Sequence, residues 1–213
     1  MRMASRGDVS FSRDLLNKRV VDCEGRPVGA VLDLAAGMHS AVPGAPTVQR
    51  LVIRPHRPRR SDQMPAAGGW LVLSWDDVEA LEPRHIRLRQ TRADLAPSAL
   101  EAGQILLRKH IMDQQVVDCR GLKLQRVNDI AMGFSDGALC LRGMDTGIRG
   151  LLTRLDDRWS LLRLLRPLTN RLHPRLISWD FVERVEPARG HIRLRLSRDE
   201  VRLAIRRAPA SAD

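Results

Sequence analysis

Residues 19–33, RVVDCEGRPVGAVLD, return at residues 115–129 as QVVDCRGLKLQRVND. Val20, Val21, Asp22, Cys23, Gly25, Val31 and Asp33 each recur 96 positions later. A second block follows in the same order, SWDDVEALEP at 74–83 and SWDFVERVEP at 178–187, 104 positions apart. Two matched blocks in one order mean a duplicated domain, which rules out most folds available to a chain of 213 residues. Solenoids and propellers repeat every 20 to 50 residues or so. A single repetition near 96 therefore describes two globular copies, each of ordinary domain size.

Inside each copy the periodicity is that of strands. Ile86-Arg87-Leu88-Arg89 and Ile192-Arg193-Leu194-Arg195-Leu196 alternate apolar and cationic residues, placing Ile and Leu on a core face and Arg in water. RLVI at 50–53, WLVLSW at 70–75 and ALCLR at 138–142 are short apolar runs of the kind that form strands in a small closed sheet. Gly25 and Gly121 follow the Val-Val-Asp-Cys strands, where a hairpin loop needs positive φ. In the SWD blocks, Asp76 with Glu79 and Asp180 with Glu183 have capping-box spacing, predicting one helical turn that Pro83 and Pro187 stop.

Many short strands, little helix and no βαβ alternation predict an all-β chain of two tandem small β-barrels, the second with a short helical insertion. The expected boundaries are a first barrel at 12–92, a linker at 93–105, a second barrel at 106–198 with its insertion at 143–174, and a C-terminal tail at 199–213. With aromatic content at 3% and no Tyr, the core has to be aliphatic. Cys23 and Cys119 lie at equivalent places inside apolar stretches and are expected to be buried packing residues. For Asp22, Asp33, Asp118 and Asp129, turn capping is the expected role rather than a divalent-cation site.

The repeats resemble PRC-barrel domains, the small β-barrels similar to those of the photosynthetic reaction-centre H subunit and of the ribosome-maturation factor RimM. VVDCEGRPVGAVLD and VVDCRGLKLQRVND, with the closing SWDDVEALEP and SWDFVERVEP, carry the likeness over most of the chain. The second copy, through ILLRKHIMDQQVVDCRGLKLQRVNDIAM, LRGMDTGIRGLLTRL and LISWDFVERVEP, is also similar to the PRC-barrel segment of MgtE-type magnesium transporter-like proteins. That resemblance implies a regulatory module working with a magnesium-transport-related system. The acidic helices and membrane spans of that family do not follow here, so transport itself is not implied.

The net charge is +11, but it is unevenly spread: residues 1–103 carry +3 and residues 104–213 carry +8. Arg142 to Arg175 alone holds 8 Arg and 3 Asp, in a stretch the first copy lacks. There Ile148, Leu151, Leu152 and Leu155 follow the i, i+3, i+4, i+7 stripe of an amphipathic helix. With Arg149, Arg154, Arg158 and Trp159 they form the expected partner-binding surface, against the simpler reading that the leucines pack on the second barrel.

No catalytic, cofactor-binding or metal-binding residues are assigned. The six His show no metal-ligand spacing, no Cys-x-x-Cys occurs, and no glycine-rich phosphate loop is present. No apolar run reaches the roughly 18 residues of a membrane span, and the N-terminus lacks the apolar core of a secretory signal, so a cytoplasmic chain is expected. The resulting expectation is a non-enzymatic regulatory or adaptor module that docks on a protein partner or on a second copy of itself. The alternative is an RNA- or ribosome-associated protein of RimM-like type, argued from charge. Contact with an anionic membrane surface is the third expectation.

Overall fold

A computed structural model describes residues 9–37, 45–56, 69–147 and 175–207. The chain is mostly β and divides into two compact units.

Unit 1 takes in the described residues of 14–108 together with 133–140. Its strands are β2 (Arg19–Val21), β3 (Pro27–Gly37), β4 (Thr47–Pro55), β5 (Leu71–Ser74), β6 (Val78–Leu81), β7 (His85–Leu88) and β8 (Gln104–Leu106). They pair in the order β6-β7-β2-β3-β4-β5, all antiparallel except β2 on β7, with β8 added to the far end of β3. Alternation delivers the core as expected: in β7, Ile86 and Leu88 are fully buried while His85 and Arg87 are not. Val20, Leu51, Ile53, Leu71 and Leu73 join them in an aliphatic interior.

Unit 2 takes in the described residues of 9–13, 109–132 and 141–207. Its strands are β1 (Val9–Ser10), β9 (Gln115–Val117), β10 (Lys123–Arg126), β13 (Leu176–Ser178), β14 (Val182–Glu186) and β15 (His191–Leu194). To these it adds the larger parts of β11 (Asp129–Ser135) and β12 (Ala138–Asp145), whose connecting end belongs to unit 1. One set pairs as β10-β9-β15-β14 and the other as β1-β11-β12-β13. The duplication is reproduced residue by residue: Val20 pairs with Ile86 across parallel strands in unit 1, and Val116 pairs with Ile192 in unit 2.

The units are not the two sequence copies cut end to end. β1 precedes the first copy yet pairs with β11, through Val9↔Met132 and Ser10↔Ala131, in unit 2. Its counterpart β8 precedes the second copy yet pairs with β3, through Ile105↔Ala36 and Leu106↔Ala35, in unit 1. These two registers are the same pairing, displaced by the 96-residue repeat. The side chains at the joins match as well. Asp129 Oδ1 accepts from the Ser12 amide at 2.9 Å, and Asp33 Oδ1 accepts from the Arg108 amide at 2.7 Å. Phe11 and Leu107, also 96 apart, are both fully buried. Each lead-in segment thus completes the unit built mainly from the other copy.

Several local expectations are corrected. Cys23 and Cys119 are exposed, and the buried residue beside each is the aspartate: the strands end at Val21 and Val117, and Asp22 and Asp118 turn their carboxylates in to cap the amides of the turn that follows. In the SWD blocks the helical turns are Trp75–Asp77 and Trp179–Phe181, two residues earlier than the capping-box spacing implies. Ser74 and Ser178 are the N-caps, accepting from the Asp76 and Asp180 amides at 3.3 Å. Glu79 and Glu183 lie on the strands that follow. Pro83 consequently follows a strand rather than a helix, and Pro187 opens a turn of its own, Pro187–Arg189. Residues 198–207, mostly inside the expected tail, form helix α1 (Arg198–Arg207).

Gly25 and Gly121 adopt φ of 80° and 83°, as the hairpin reading requires. All four repeated aspartates cap backbone amides. Asp22 Oδ1 accepts from the Glu24 and Arg26 amides at 3.0 and 2.8 Å, and Asp118 Oδ1 accepts from the Arg120 and Leu122 amides at 2.9 and 2.8 Å. Burial opposes their ionisation, but amide donors, with the Arg26 guanidinium on Asp22, more than offset it and hold both carboxyls below their ordinary range.

Candidate functional site

All eight sequence-predicted partner residues, Ile148, Arg149, Leu151, Leu152, Arg154, Leu155, Arg158 and Trp159, lie outside the described residues. Residues 57–68 do as well. What the structure contains instead is a groove in unit 2, with a cavity volume of about 480 Å³, between helix α1, strand β10 and strand β13. That lies within the range of ligand clefts, roughly 300–1,000 Å³.

Helix α1 exists because its first turn is well capped. Ser197 precedes it, the Glu200 carboxylate accepts from both the Ser197 amide at 2.8 Å and the Ser197 hydroxyl at 2.7 Å, and Asp199 and Glu200 sit at the positive end of the helix dipole. The Ser197 hydroxyl and amide hold the Glu200 carboxyl below its ordinary range. Asp118 fixes where the helix starts: its Oδ2 accepts from the Arg198 amide at 3.3 Å while its Oδ1 holds the β9–β10 turn. One buried carboxylate therefore sets the spacing between two walls of the groove.

Along the helix, Arg198, Val201, Arg202 and Ile205 occupy positions i, i+3, i+4 and i+7, and all four line the groove. Val201 and Ile177 are buried at its floor, with Leu124 and Ile205 half-buried beside them. Arg175, Arg198 and Arg202 are exposed at its rim. Arg202 has Asp199 at 3.8 Å, and no acidic side chain among the described residues pairs with Arg175 or Arg198. The site is a trough of mixed character, with an aliphatic floor of Leu124, Ile177, Val201 and Ile205 and polar walls of Gln125 and three guanidinium groups.

Comparison of the two units shows why the groove is found in unit 2. In unit 1, Gly29 pairs with Pro55 and lies so close to β4 that a Cβ there would meet the Arg54 carbonyl oxygen at 2.3 Å. The equivalent residue in unit 2 is Gln125, too large for that approach. Among the described residues β10 pairs with β9 alone, and the Gln125 side chain accepts instead from the Thr146 hydroxyl at 2.6 Å. A second difference follows the repeated Arg92 and Arg198. Thr91-Arg-Ala-Asp94 begins a turn as Ser197-Arg-Asp-Glu200 does, but Pro97 forbids helix where Leu203 allows it. In unit 1 the chain runs on past β5 as irregular backbone, and the Ser98 amide donates to the Val72 carbonyl at 2.7 Å. In unit 2 it continues as α1, and the same flank of β13 is left as the groove.

Burial agrees with that contrast. Val28, Leu71 and Val72 in unit 1 are buried, whereas their counterparts Leu124 and Leu176 are half-buried and Arg175 is exposed. Sequence reasoning passed over these residues although two signals were present. Ser197-x-x-Glu200 has the capping-box spacing, and Arg198, Val201, Arg202 and Ile205 form one helical face. The contribution of Arg175 and Ile177 had no local signal.

Elsewhere, each copy pairs a glutamate with a histidine and arginine. Glu82 meets His85 at 3.0 Å and Arg87 at 3.0 Å, and Glu186 meets His191 at 2.5 Å with Arg184 and Arg189 each at 3.5 Å. Burial acts against Glu186 ionising, but His191 and the neighbouring arginines outweigh it and keep its carboxyl below the ordinary range. These clusters bridge β6 with β7 and β14 with β15, a strand-pairing role. Among the described residues no group of three or more His, Cys, Asp or Glu could hold a metal ion, and no helix is long and apolar enough to cross a membrane. No family model matches the chain, and no curated protein matches it in sequence.

Proposed function

We propose that this protein is a non-enzymatic binding module, two PRC-barrel-like halves of which the second holds a segment of a protein partner in the groove between α1, β10 and β13. The observation that carries the reading is the contrast between copies. The position that residues 96–101 cover in unit 1 is, among the described residues, an uncovered trough with a cationic rim in unit 2. An apolar floor supplies non-directional burial and the charged rim supplies selection, the division of labour found at protein-binding sites. The resemblance of the repeats to PRC-barrels of magnesium transporter-like proteins makes a magnesium-transport-related system the first place to seek the partner. The Leu/Arg segment around Ile148 to Trp159 is a second candidate contact, on its sequence alone.

Charge alone also suits RNA, the alternative reading. Base stacking needs accessible aromatic faces. Trp75 and Trp179 are buried in the core, leaving Trp70 as the exposed large aromatic among the described residues. The groove, with its aliphatic floor, favours protein.

A photoreactive amino acid placed at Ile205, inside the groove, and in a control at Leu203, which is exposed and off it, tests the reading in cells of the native host. A nuclease-resistant protein adduct from position 205, much weaker from 203, is the expected result. Adducts that vanish with ribonuclease, or equal labelling at both positions, would remove it.

A further inference from the structure

Unit 1 contains a template for what the groove in unit 2 takes. After the Arg92 turn the chain crosses the flank of β5 without helix or strand of its own, with Pro97 preventing helix, the Ser98 amide bonding the Val72 carbonyl at 2.7 Å, and the Glu101 carboxylate on Arg50. The segment thus uses one backbone hydrogen bond to a strand, small side chains and one acidic contact. At the equivalent flank of β13 no segment of the described chain does this, because the chain has continued as α1.

We propose that the unit 2 groove binds a non-helical, acidic segment of a partner protein, laid along β13 as residues 96–101 are laid along β5, with its amide on the Leu176 carbonyl. This rests on the reading of the protein as a protein-binding module and specifies the partner's chemistry. Two observations fix that chemistry. The first is the equivalence of Leu176 with Val72, which makes the occupant non-helical. The second is the rim: the Arg175 and Arg198 guanidinium groups form no ion pair with any described residue, so a carboxylate entering there gains charge-assisted hydrogen bonds. Charge also argues against the chain's own residues 142–175 as occupant, since that stretch carries eight Arg against three Asp and would add cations to a cationic rim. Aliphatic side chains on the segment would reach Leu124, Ile177 and Ile205 at the floor.

The full chain and a fluorescent peptide with the sequence of residues 94–102, DLAPSALEA, provide the test. In fluorescence anisotropy the peptide binds, and its affinity falls as salt rises and the Debye length shrinks from about 10 Å at 0.1 M to about 3 Å at 1 M. Arg198→Glu with Arg202→Glu weakens binding by roughly tenfold or more, and the same variant gains affinity for a peptide in which both acids are replaced by Lys. Both arginines are exposed, so circular dichroism of the variant should match the parent. Absence of binding, binding unchanged by charge reversal, or displacement of the peptide by laurate at equal concentration would overturn the proposal, the last by pointing to an amphiphilic small anion. A protein adduct from position 205 without peptide binding would leave the binding-module reading standing and remove only the acidic-segment inference.

Discussion

Truncating Phe11 tests the exchange of lead-in segments. Phe11 lies before the first copy in sequence but in unit 2 in space, and it is fully buried. Removing a buried Phe ring to Ala costs about 3–5 kcal/mol, through lost burial and the cavity left behind. At about 1.4 kcal/mol per tenfold, amide exchange that proceeds through opening of the affected unit should accelerate roughly 10²- to 10³-fold. Hydrogen exchange followed by mass spectrometry reads this segment by segment. In Phe11→Ala, peptides from 115–126 and 176–194 lose protection before those from 19–37 and 71–88. The mirror variant, Leu107→Ala, removes a fully buried side chain that follows β8, belongs to unit 1 and stands at the position equivalent to Phe11. It costs about 2–5 kcal/mol and should reverse the order. If each substitution loosens the copy it adjoins in sequence, the exchange is refuted.

Two further outcomes follow from local geometry. Gly29→Ala places a Cβ 2.3 Å from the Arg54 carbonyl oxygen and 2.5 Å from Ile53 Cγ2, contacts that only a shift of β3 against β4 relieves. Urea denaturation should register a loss of about 1–3 kcal/mol, and an unchanged midpoint would contradict the close approach. The carboxyls of Asp22, Asp118, Glu186 and Glu200 all bind protons less readily in the folded chain than in the unfolded one. Their stabilisation is therefore complete above the ordinary carboxylate range near pH 4 and is lost as pH falls below it through their folded values. Urea midpoints should be flat from about pH 7 to 5 and decline below about pH 4, less steeply in Asp22→Asn, whereas stability that rises on acidification would exclude this account.

How much of this was legible in the sequence depends on the range over which each feature is encoded. Alternation at Ile86 to Arg89 and at Ile192 to Leu196 reports its buried face without reference to the rest of the chain, so strands and core residues were readable directly. Gly25 and Gly121 announced positive φ for the same reason. Cys23 was misread because its apolar neighbours, taken as a run, hid the end of the strand at Val21, after which Asp22 caps the turn from a buried position and Cys23 faces water. The capping box was sought at Asp76 and Asp180, which lie inside single turns already capped by Ser74 and Ser178, and overlooked at Ser197 and Glu200, where a longer helix begins.

The sequence by itself determined the duplication, the strand character and the turns, since each rests on residues a few positions apart. Only the tertiary structure decided which lead-in strand completes which unit. Val9 could in principle pair with the end of β3 or of β11, whose local patterns are alike, and that choice is made by contacts more than a hundred residues distant. The groove was decided in the same way. Gln125, Arg175 and Arg198 come from three separate stretches, and they enclose a space because β10 cannot close where Gly29 allows β3 to close. A pattern confined to neighbouring residues cannot record a gap between distant ones.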